Sequence, residues 1–354
     1  MSFALLIYFQ YTGKPMQKLN CVMQQKKLYA LTRSVSRSFY LTLRLLPAAV
    51  RDSACVAYLL ARISDTLADT PTVELAQRTI WLQQFATLCR LPVNLTDPSL
   101  ADLAAACAPH QTNIAEQHLM SELTFCLTCL TQLPTMEQQR IQAVLQPILR
   151  GQQFDLQRFT QGETAPLTAS ELEGYTYQVA GCVGEYLSTL FADNLKGWSD
   201  QSLEQMRQWG MHYGCGLQLI NMVRDLAVDQ QHGRYYLNSA AIKPALQQAQ
   251  AYLQDGWRYV THLQSKRLRW VCLLPLLIGL QTLIQWLQTD STMDTTVVRI
   301  GRSRVYAILG LSGVGAMRLA WIQPYYTQLQ HQLSQALLDR FGDPSNYDAP
   351  TKFV

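Results

Sequence analysis

Two short stretches of this sequence place acidic side chains one helical turn apart. The first contains Asp65 and Asp69, and the second repeats the four-residue step in Asn221, Asp225 and Asp229. Residues at i and i+4 share a helix face with Cβ atoms roughly 5–6 Å apart, where like charges repel each other. A bound cation reverses that repulsion, and all-oxygen ligands suit Mg²⁺, which binds one or two carboxylates together with substrate phosphates. The spacing therefore predicts a magnesium-dependent diphosphate site.

Arginines accompany both acidic stretches. Arg62 lies one turn before Asp65, Arg224 adjoins Asp225, and Arg234 follows the second stretch closely. Guanidinium groups bind phosphate oxygens in a forked geometry, which favours the same interpretation. The alternative is that the acids are solvated surface residues paired with these arginines. Because two such stretches occur in otherwise apolar helical segments, we favour the diphosphate site.

Composition narrows the class of protein. The 354 residues are 48% hydrophobic and only 15% charged, and the formal net charge is +4. A globular protein with a large core is expected. The sequence contains no run of basic residues of the kind that binds the phosphate backbone of a nucleic acid, so nucleic-acid binding is not expected.

Helical periodicity extends along most of the chain, and alternating strand patterns are scarce. Proline and glycine positions, including Pro244 and Pro324, predict helix ends and leave about nine to twelve helices with short links. We therefore predict an all-α, single-domain fold. Its expected boundaries are an N-terminal extension at 1–30, the domain at 31–342 and a tail at 343–354.

Cysteine use and hydropathy predict a cytoplasmic protein. The nine cysteines follow no disulfide spacing, and Cys126 and Cys129 are expected to be buried thiols. The apolar stretch Trp270–Leu287 is interrupted by proline and glutamine and barely reaches the ~20 residues of a membrane span. A buried core helix is the preferred interpretation, with no transmembrane anchor and at most peripheral membrane contact.

Four motifs in order resemble the squalene and phytoene synthases, which join two prenyl diphosphates head to head. They are Val35-Ser-Arg-Ser-Phe39, the segment Tyr58–Asp69, the segment Tyr175–Gly184 and the segment Gln218–Arg234. The likeness runs from about Ser34 to Tyr236 and continues more weakly to about Leu311. Asp-Thr-Leu-x-Asp and Asp-Gln-Gln-x-Gly-Arg are more similar to squalene synthases than to phytoene synthases.

The resemblance implies an isoprenoid-synthase helical bundle with both acidic clusters facing a central apolar cavity. It also implies two molecules of farnesyl diphosphate, Mg²⁺ and NADPH. Tyr175 looks like the family's catalytic phenol, which takes a proton as presqualene diphosphate forms, with the released diphosphate as the final acceptor. The implied metal ligands are Asp65, Asp69, Asn221, Asp225 and Asp229, of which the four aspartates also count as catalytic.

Further positions follow from the same resemblance. The small residues Ala180, Gly181 and Gly184 leave room for prenyl chains, permit close helix packing, or do both. The implied substrate-binding residues are Ser36, Arg37, Phe39, Tyr58, Arg62, Val179, Ala180, Gly184, Gln218, Arg224 and Arg234.

The residues expected to bind the cofactor are less specific to the family than the acidic motifs. Gly310–Gly315 has the wrong glycine spacing and no preceding strand, so a Rossmann site is excluded. NADPH is instead expected near Ser38, Cys272, Pro275 and Arg299. Alternatives are a phytoene or dehydrosqualene-type synthase without the reductive step and, more remotely, a non-catalytic protein of the same fold. A monomer is expected.

Overall fold

The computed structural model describes residues 15–36, 39–70, 72–160, 165–289 and 300–342. Within these ranges the only strand-like pairing is a single bridge between Ser199 and Leu263. All other regular structure is helical, which confirms the all-α prediction. The helices group into two compact units: one contains the described residues up to Leu41 and Arg51–Gln142, the other Thr42–Val50 and the described residues from Ala143 onward.

The first unit contains the N-terminal helices. Its core is formed by fully buried side chains such as Leu60, Ile63, Phe85 and Leu127. A short 3₁₀ turn at Ala108–His110 joins two of its helices. The α-helices are α1 (Pro15–Ser36), α2 (Phe39–Leu45), α3 (Ala48–Ala68), α4 (Leu75–Leu88), α5 (Ser99–Cys107), α6 (Ile114–Ser121), α7 (Leu123–Thr131) and α8 (Thr135–Thr160), of which α2, α3 and α8 are shared with the second unit.

The predicted extension at 1–30 ends inside α1 rather than at a helix end. Lys27 on this helix forms a salt bridge of 2.6 Å with Glu122 of the first unit. Tyr29 donates a hydrogen bond to Asp52 on α3. The part of α1 just before residue 30 therefore packs with the first unit.

The second unit is built on contacts of α11 with its neighbours. Buried Leu219, Val223, Leu246, Leu253 and Leu276 belong to its core. Its further α-helices are α9 (Ala169–Thr176), α10 (Cys182–Asn194), α11 (Leu203–Arg224), α12 (Leu226–Gln231), α13 (Ser239–His262), α14 (Lys266–Gln288), α15 (Arg302–Met317) and α16 (Leu319–Phe341).

Side-chain caps fix where several of these helices begin. Thr168 and Glu171 form a capping box at the start of α9, where each side chain bonds the other residue's backbone N–H. Arg158 of α8 adds a salt bridge of 3.0 Å to Glu171. These contacts anchor the beginning of the helix that carries Tyr175.

The prediction that helices end at Pro244 and Pro324 is wrong. Both prolines lie inside helices, α13 and α16 respectively. Each is in the second turn of its helix, so its missing N–H removes a single backbone hydrogen bond and any kink is confined to the first turn. The helix count is also higher than predicted, because several long helical segments are divided within their length. Residues 177–181 and Asp225 are two such points.

Helix α14 contains the apolar stretch that approaches membrane-spanning length. By length and composition it could cross a membrane, but 72% of its apolar window is buried inside the protein. This burial is typical of the core helix of a globular protein and agrees with the core interpretation.

The eight cysteines from Cys55 to Cys272 are free, and all of these except Cys272 are buried. Cys126 and Cys129 are among the buried ones, as predicted. Burial raises the pKa of the Cys129 thiol to about 11. Thiols of this kind are neutral near pH 7 and fill space in the core.

Candidate active site

The first acidic motif lies at the end of α3. The backbone N–H of Asp69 donates to the carbonyl of Asp65 over 2.9 Å, so one helical turn separates the two residues as predicted. The side chain of Asp65 is 41% exposed and accepts a hydrogen bond of 2.5 Å from Arg62. The other terminal nitrogen of Arg62 donates to Glu116 on α6, also over 2.5 Å. Arg62 is therefore fixed between two carboxylates beside the predicted metal ligands.

Arg62 and its neighbours combine charge with partial burial. Burial opposes the charge of Arg62, but Asp65 and Glu116 outweigh it and raise the pKa of the guanidinium. Tyr58, one turn earlier, donates to the backbone carbonyl of Val35 over 3.3 Å. Burial raises the pKa of Tyr58 to about 12, so its phenol is a neutral hydrogen-bond donor.

The second acidic motif differs from the continuous helix expected from its spacing. Helix α11 ends at Arg224, α12 begins at Leu226, and Asp225 lies between them with φ −96° and ψ 5°. The i to i−4 bonds nevertheless continue, since Asp225 N–H donates to Asn221 over 2.9 Å and Asp229 N–H to Asp225 over 2.8 Å. The three predicted ligands therefore keep their one-turn spacing across the joint. This backbone region is sparsely populated and is where many active-site residues occur.

Arg224 binds the carboxylate of Asp225 through two nitrogens. Its Nε donates over 2.8 Å to one oxygen and its Nη2 over 2.5 Å to the other. Both side chains are about one-third exposed, at 33% and 31%. A guanidinium in this position can transfer its hydrogen bonds to the phosphate oxygens of a ligand without leaving the site.

The remaining residues of the second stretch surround this pair. Gln218 accepts a hydrogen bond from the Asn221 amide over 3.4 Å. Gly233 adopts φ +75°, which turns the chain after α12, and the Arg234 N–H then donates to the Asp229 carbonyl over 2.8 Å. The glycine of the motif thus supplies a left-handed conformation that returns Arg234 to the acidic stretch.

The donor set of both motifs fits Mg²⁺. Each motif presents two carboxylates one turn apart, partly or fully exposed, with oxygen donors only. Within the described ranges no group of three or more His, Cys, Asp or Glu side chains is placed to hold a metal. The other ligands of a magnesium ion would therefore be water and diphosphate oxygens, as is usual for this ion. The two motifs belong to different units, and their convergence on one apolar cavity stays a prediction.

Tyr175 occupies a polar cluster inside the second unit. It is buried, and its hydroxyl donates to Oδ2 of Asp155 on α8 over 2.7 Å. Tyr236, also buried, donates to the same oxygen over 3.0 Å, and the two phenol oxygens are 3.2 Å apart. The two rings stack with centroids 5.2 Å apart. One carboxylate oxygen therefore accepts from both phenols.

The surroundings of the cluster keep both phenols protonated. Burial raises the pKa of Tyr175 well above its ordinary value, and the charge of Asp155 and the phenol of Tyr236 raise it further. Burial and then Asp155 raise the pKa of Tyr236 in the same way. A neutral phenol can accept a proton only while it gives its own away, and Asp155 is the acceptor within reach.

The helix that carries Tyr175 contains a π-helical turn at Tyr177–Gly181, directly after α9. Such turns insert an extra residue into an α-helix and are frequent at functional sites. The turn lies against Gly151 of α8, where an added Cβ would approach Val179 to 2.7 Å. It also lies against Gly214 of α11, where a Cβ would come within 2.4 Å of the Ala180 carbonyl.

Gly184 lies at a close helix crossing. A Cβ at this position would lie 1.9 Å from the carbonyl oxygen of Gly210 on α11. The structure therefore supports close helix packing at Gly184, and its assignment to substrate binding stays a prediction. The space that its missing side chain leaves is filled by the backbone of α11.

Asp155 and Tyr236 were not identified from the sequence. Asp155 is a single acid in the segment Phe154-Asp155-Leu156, and an isolated charge near apolar residues was the available signal. Its partners are 20 and 81 positions away, so no local spacing connects them.

The predicted cofactor residues are only partly described. Cys272 and Pro275 lie half-buried on one face of α14. Burial raises the pKa of the Cys272 thiol to about 12, and the carbonyl of this residue accepts a hydrogen bond of 2.8 Å from Tyr213. A neutral thiol and a proline offer no charge to a phosphate, so the positive charge that binds the phosphates of NADPH would have to come from other residues.

Several predicted residues fall at or beyond the edges of the described ranges. Arg37, Ser38 and Arg299 lie outside the described residues. Phe39 begins α2. Ser36, at the end of α1, is buried, and its hydroxyl donates to the Thr32 carbonyl over 2.5 Å.

Curated proteins that match this chain have low sequence identity to it, over more than half of its length. Human squalene synthase is 21% identical over 91% of this chain and 76% of its own length. Phytoene synthase of Arthrospira platensis is 26% identical over 58% of each chain. The bifunctional lycopene cyclase/phytoene synthase of Colletotrichum graminicola is 27% identical over 59% of this chain, which spans about a third of that longer relative.

Solved structures show the same fold. The complex of TcSQS with the ligand E5700 has a TM-score of 0.70 at 19% identity and covers 90% of this chain and 97% of the other. A dehydrosqualene synthase in complex with ligand has a TM-score of 0.55 at 19% identity and covers 85% of this chain. The likeness therefore extends over both units. The family model described as squalene/phytoene synthase matches residues 32–241 and includes both acidic motifs, and the chain belongs to this family.

Proposed function

We propose that this protein is a squalene synthase that joins two farnesyl diphosphates head to head and reduces the presqualene diphosphate to squalene. The observation that carries the proposal is the pairing of each acidic motif with an arginine, Arg62 with Asp65 and Arg224 with Asp225. Membership of a family of prenyl-transferring enzymes supports the reaction class.

The second acidic motif favours squalene synthase over phytoene synthase. The stretch Asp229-Gln-Gln-x-Gly-Arg234 resembles squalene synthases. The match to human squalene synthase over 91% of the chain is compatible with this preference.

Ionisation is the first chemical step of the proposal. The bond between C1 of one farnesyl group and its diphosphate breaks, and the electron pair leaves with the diphosphate. Arg62 and Arg224 would donate hydrogen bonds to the departing anion, which lowers the barrier by stabilising charge that develops in the transition state. Arg224 is suited to this role because a nearby oxyanion can replace Asp225 as its partner.

Magnesium held by Asp65, Asp69, Asn221, Asp225 and Asp229 would add positive charge against the diphosphate. The half-exposure of these side chains leaves them accessible to such ions and to substrate oxygens. The guanidinium groups of Arg62 and Arg224 lie against Asp65 and Asp225 and offset part of the negative charge of the two motifs.

Loss of a proton is the second step in which this chain's own residues act. The allylic cation adds to the double bond of the second substrate, and the cyclopropane closes as a C–H bond gives its electron pair to the ring. Tyr175 would accept that proton while passing its hydroxyl proton to Asp155 over the 2.7 Å hydrogen bond. The negative charge of Asp155 is thereby neutralised, and the released diphosphate is the final acceptor.

Tyr236 would hold Asp155 in place for this transfer. Its hydroxyl donates to the same Oδ2 and its ring stacks on Tyr175, so the carboxylate keeps a hydrogen-bond partner when the Tyr175 proton moves. The phenol of Tyr236 is neutral for the same reason as that of Tyr175. We therefore regard Tyr175 as the catalytic residue and the other two as positioning and accepting groups.

Product analysis tests the function. The full chain is incubated with farnesyl diphosphate and Mg²⁺, with and without NADPH, and the lipid products are separated. Squalene is expected with NADPH, and presqualene diphosphate is expected to accumulate without it.

Two other outcomes of the same experiment identify the alternatives. Dehydrosqualene without any response to NADPH, or phytoene from geranylgeranyl diphosphate, would show a synthase without the reductive step. Consumption of neither substrate under any of these conditions would show a non-catalytic protein of this fold. The A. platensis phytoene synthase match keeps the first alternative relevant.

A further inference from the structure

Helix α15 and the start of α16 carry a set of exposed side chains that are mostly apolar. Its largest members are Tyr306 at 67% exposure, Val314 at 52%, Met317 at 57% and Trp321 at 58%. Ala307 and Gly310 are exposed between them. From Tyr306 to Met317 the spacing follows the period of a helix, so these residues share one face of α15. Trp321 lies just beyond the extended residue Arg318, in the first turn of α16. We call this set of exposed residues the α15 stripe.

Two arginines lie along the α15 stripe. Arg304 is exposed just before Tyr306, and Arg318 is exposed between Met317 and Trp321. The thirteen residues between the two arginines contain no charged side chain. The Arg318 guanidinium lies 5.9 Å from the centre of the Trp321 ring. Aromatic and arginine side chains at the edge of an apolar surface are typical of contact with the boundary between lipid and water.

The whole segment around the stripe is depleted of acids. From Gly256 to Leu338 the sequence contains eight lysines and arginines but two acidic residues, Asp290 and Asp294. The formal net charge of the complete chain is only +4, so positive charge is concentrated in this segment. Such an excess attracts an anionic surface.

Packing between α14 and α15 brings further basic residues to one end of the stripe. Trp270, near the start of α14, donates its ring N–H to the carbonyl of Leu309 over 3.2 Å and contacts the Cα side of Gly313. The exposed residues Lys266 and Arg267 therefore lie at the same end of this helix pair as Met317 and Arg318.

We propose that the α15 stripe docks on the surface of an anionic lipid bilayer, with Trp321 and Tyr306 inserted at the headgroup level. The occupant is a bilayer rather than a second copy of this chain, because two copies of the stripe would bring like-charged arginines together with no acid to offset them. A bilayer supplies both apolar depth and negative headgroups, which match the two features of the stripe. This inference goes beyond the catalytic proposal and does not depend on it.

Vesicle sedimentation tests the docking. The full chain is mixed with vesicles of phosphatidylcholine alone and with vesicles in which about a third of the lipid is phosphatidylglycerol. We expect binding to the anionic vesicles that weakens as salt is added. Trp321→Gln should reduce the partition coefficient about tenfold, because a large apolar side chain no longer enters the lipid. Arg318→Glu should reduce it at least about fivefold, since one basic residue near the surface contributes on that order.

Matched control variants change exposed residues of the first unit. Ile114→Gln removes an apolar side chain that is 82% exposed, and Arg90→Glu reverses an exposed charge. Both should bind vesicles like the unmodified protein. Because Trp321 is exposed, its variant should keep the helical circular dichroism spectrum, and Trp321→Phe should keep vesicle binding.

Two results would overturn the proposal. One is equal binding of the Trp321→Gln and Ile114→Gln variants to anionic vesicles. The other is a dimer in sedimentation equilibrium that Trp321→Gln dissociates while no variant binds vesicles, which would assign the stripe to a second copy. Neither result concerns product formation, so the catalytic proposal is tested separately.

Discussion

Asp225 and Asp155 are carboxylates of the second unit in two different environments. Asp225 is about one-third exposed at the joint between α11 and α12, and its partner is the cation Arg224. Asp155 faces two buried phenols, Tyr175 and Tyr236, which donate to one of its oxygens. The first setting suits electrostatic binding of metal and diphosphate, whereas the second suits transfer of a proton. Substitutions that remove each charge while keeping the shape can therefore separate ionisation from proton removal.

The largest expected effect is at Asp225. Asp225→Asn should lower the rate of diphosphate release by about 10³-fold, because the metal ions that would stabilise the departing diphosphate lose a charged ligand. Helical circular dichroism and melting temperature should stay nearly unchanged, since the side chain is about one-third exposed. Release of inorganic diphosphate measures the first effect, and thermal unfolding measures the second. A large loss of stability with normal diphosphate release would show that Asp225 has a structural role instead.

A different defect is expected at Asp155. Asp155→Asn should lower formation of presqualene diphosphate by about 10²-fold, because Tyr175 loses its proton acceptor. Diphosphate release should continue, with water-quenched farnesol among the products. The ratio of diphosphate released to presqualene diphosphate formed measures this uncoupling. A purely structural role would instead lower both quantities together and leave their ratio unchanged.

The pH dependence of the activity provides a second test of the cluster formed by Tyr175, Asp155 and Tyr236. The pKa of Tyr175 is raised above its ordinary value, so the phenol stays protonated as pH rises through 9 and beyond. Proton transfer through Tyr175 should then show no loss of activity from phenol ionisation below about pH 10. If activity instead increased with pH as a group with a pKa near 8 ionised, and if Tyr175→Phe abolished that increase, the base would be the Tyr175 phenolate.

The sequence predicts the acidic motifs well because their spacing is local. One-turn contacts between Asp65 and Asp69, or between Asn221 and Asp225, depend only on helix formation. The all-α fold follows for a related reason, since helical periodicity extends along most of the chain. By contrast, the sequence does not indicate the joint between α11 and α12 at Asp225. The one-turn backbone hydrogen bonds continue through this residue, so the side-chain spacing is the same as in an unbroken helix.

Non-local features could not be predicted in this way. Asp155 meets partners 20 and 81 positions away, and only the packing of α8, α9 and the segment after Gly233 brings them together. The π-helical turn after Tyr175 is likewise fitted to glycines of α8 and α11. Gly184 illustrates the ambiguity of small residues, because the same glycine predicts either space for a ligand or close packing.

An intermediate effect is expected at Gly184, on the helix that follows Tyr175. Gly184→Ala places a Cβ 1.9 Å from the backbone oxygen of Gly210, which cannot move away like a flexible side chain. The free energy of unfolding should fall by about 2 kcal/mol or more, in the range of overpacked cores. Urea unfolding measures this change.

A control for Gly184 lies on the same helical segment. A Cβ at Gly174 would meet no atom within 4 Å, and the position is exposed. Gly174→Ala should therefore raise the free energy of unfolding by up to about 1 kcal/mol through helix propensity. If Gly184→Ala were as stable as the unmodified protein but had a higher KM for farnesyl diphosphate, the result would support the predicted substrate-binding role of Gly184 and contradict the packing role.

The smallest expected effect is at Glu116, which fixes Arg62 beside the first acidic motif. Glu116→Gln removes one of the two charged partners of Arg62, and partly exposed ion pairs contribute about 1 kcal/mol or less. The guanidinium keeps Asp65 but gains freedom to rotate, so KM for farnesyl diphosphate should rise about two- to fivefold with kcat nearly constant. Glu122→Gln removes a similar salt bridge, to Lys27, and should leave KM unchanged. An equal change in both variants would mean that general loss of charge, rather than the orientation of Arg62, sets substrate affinity at the first motif.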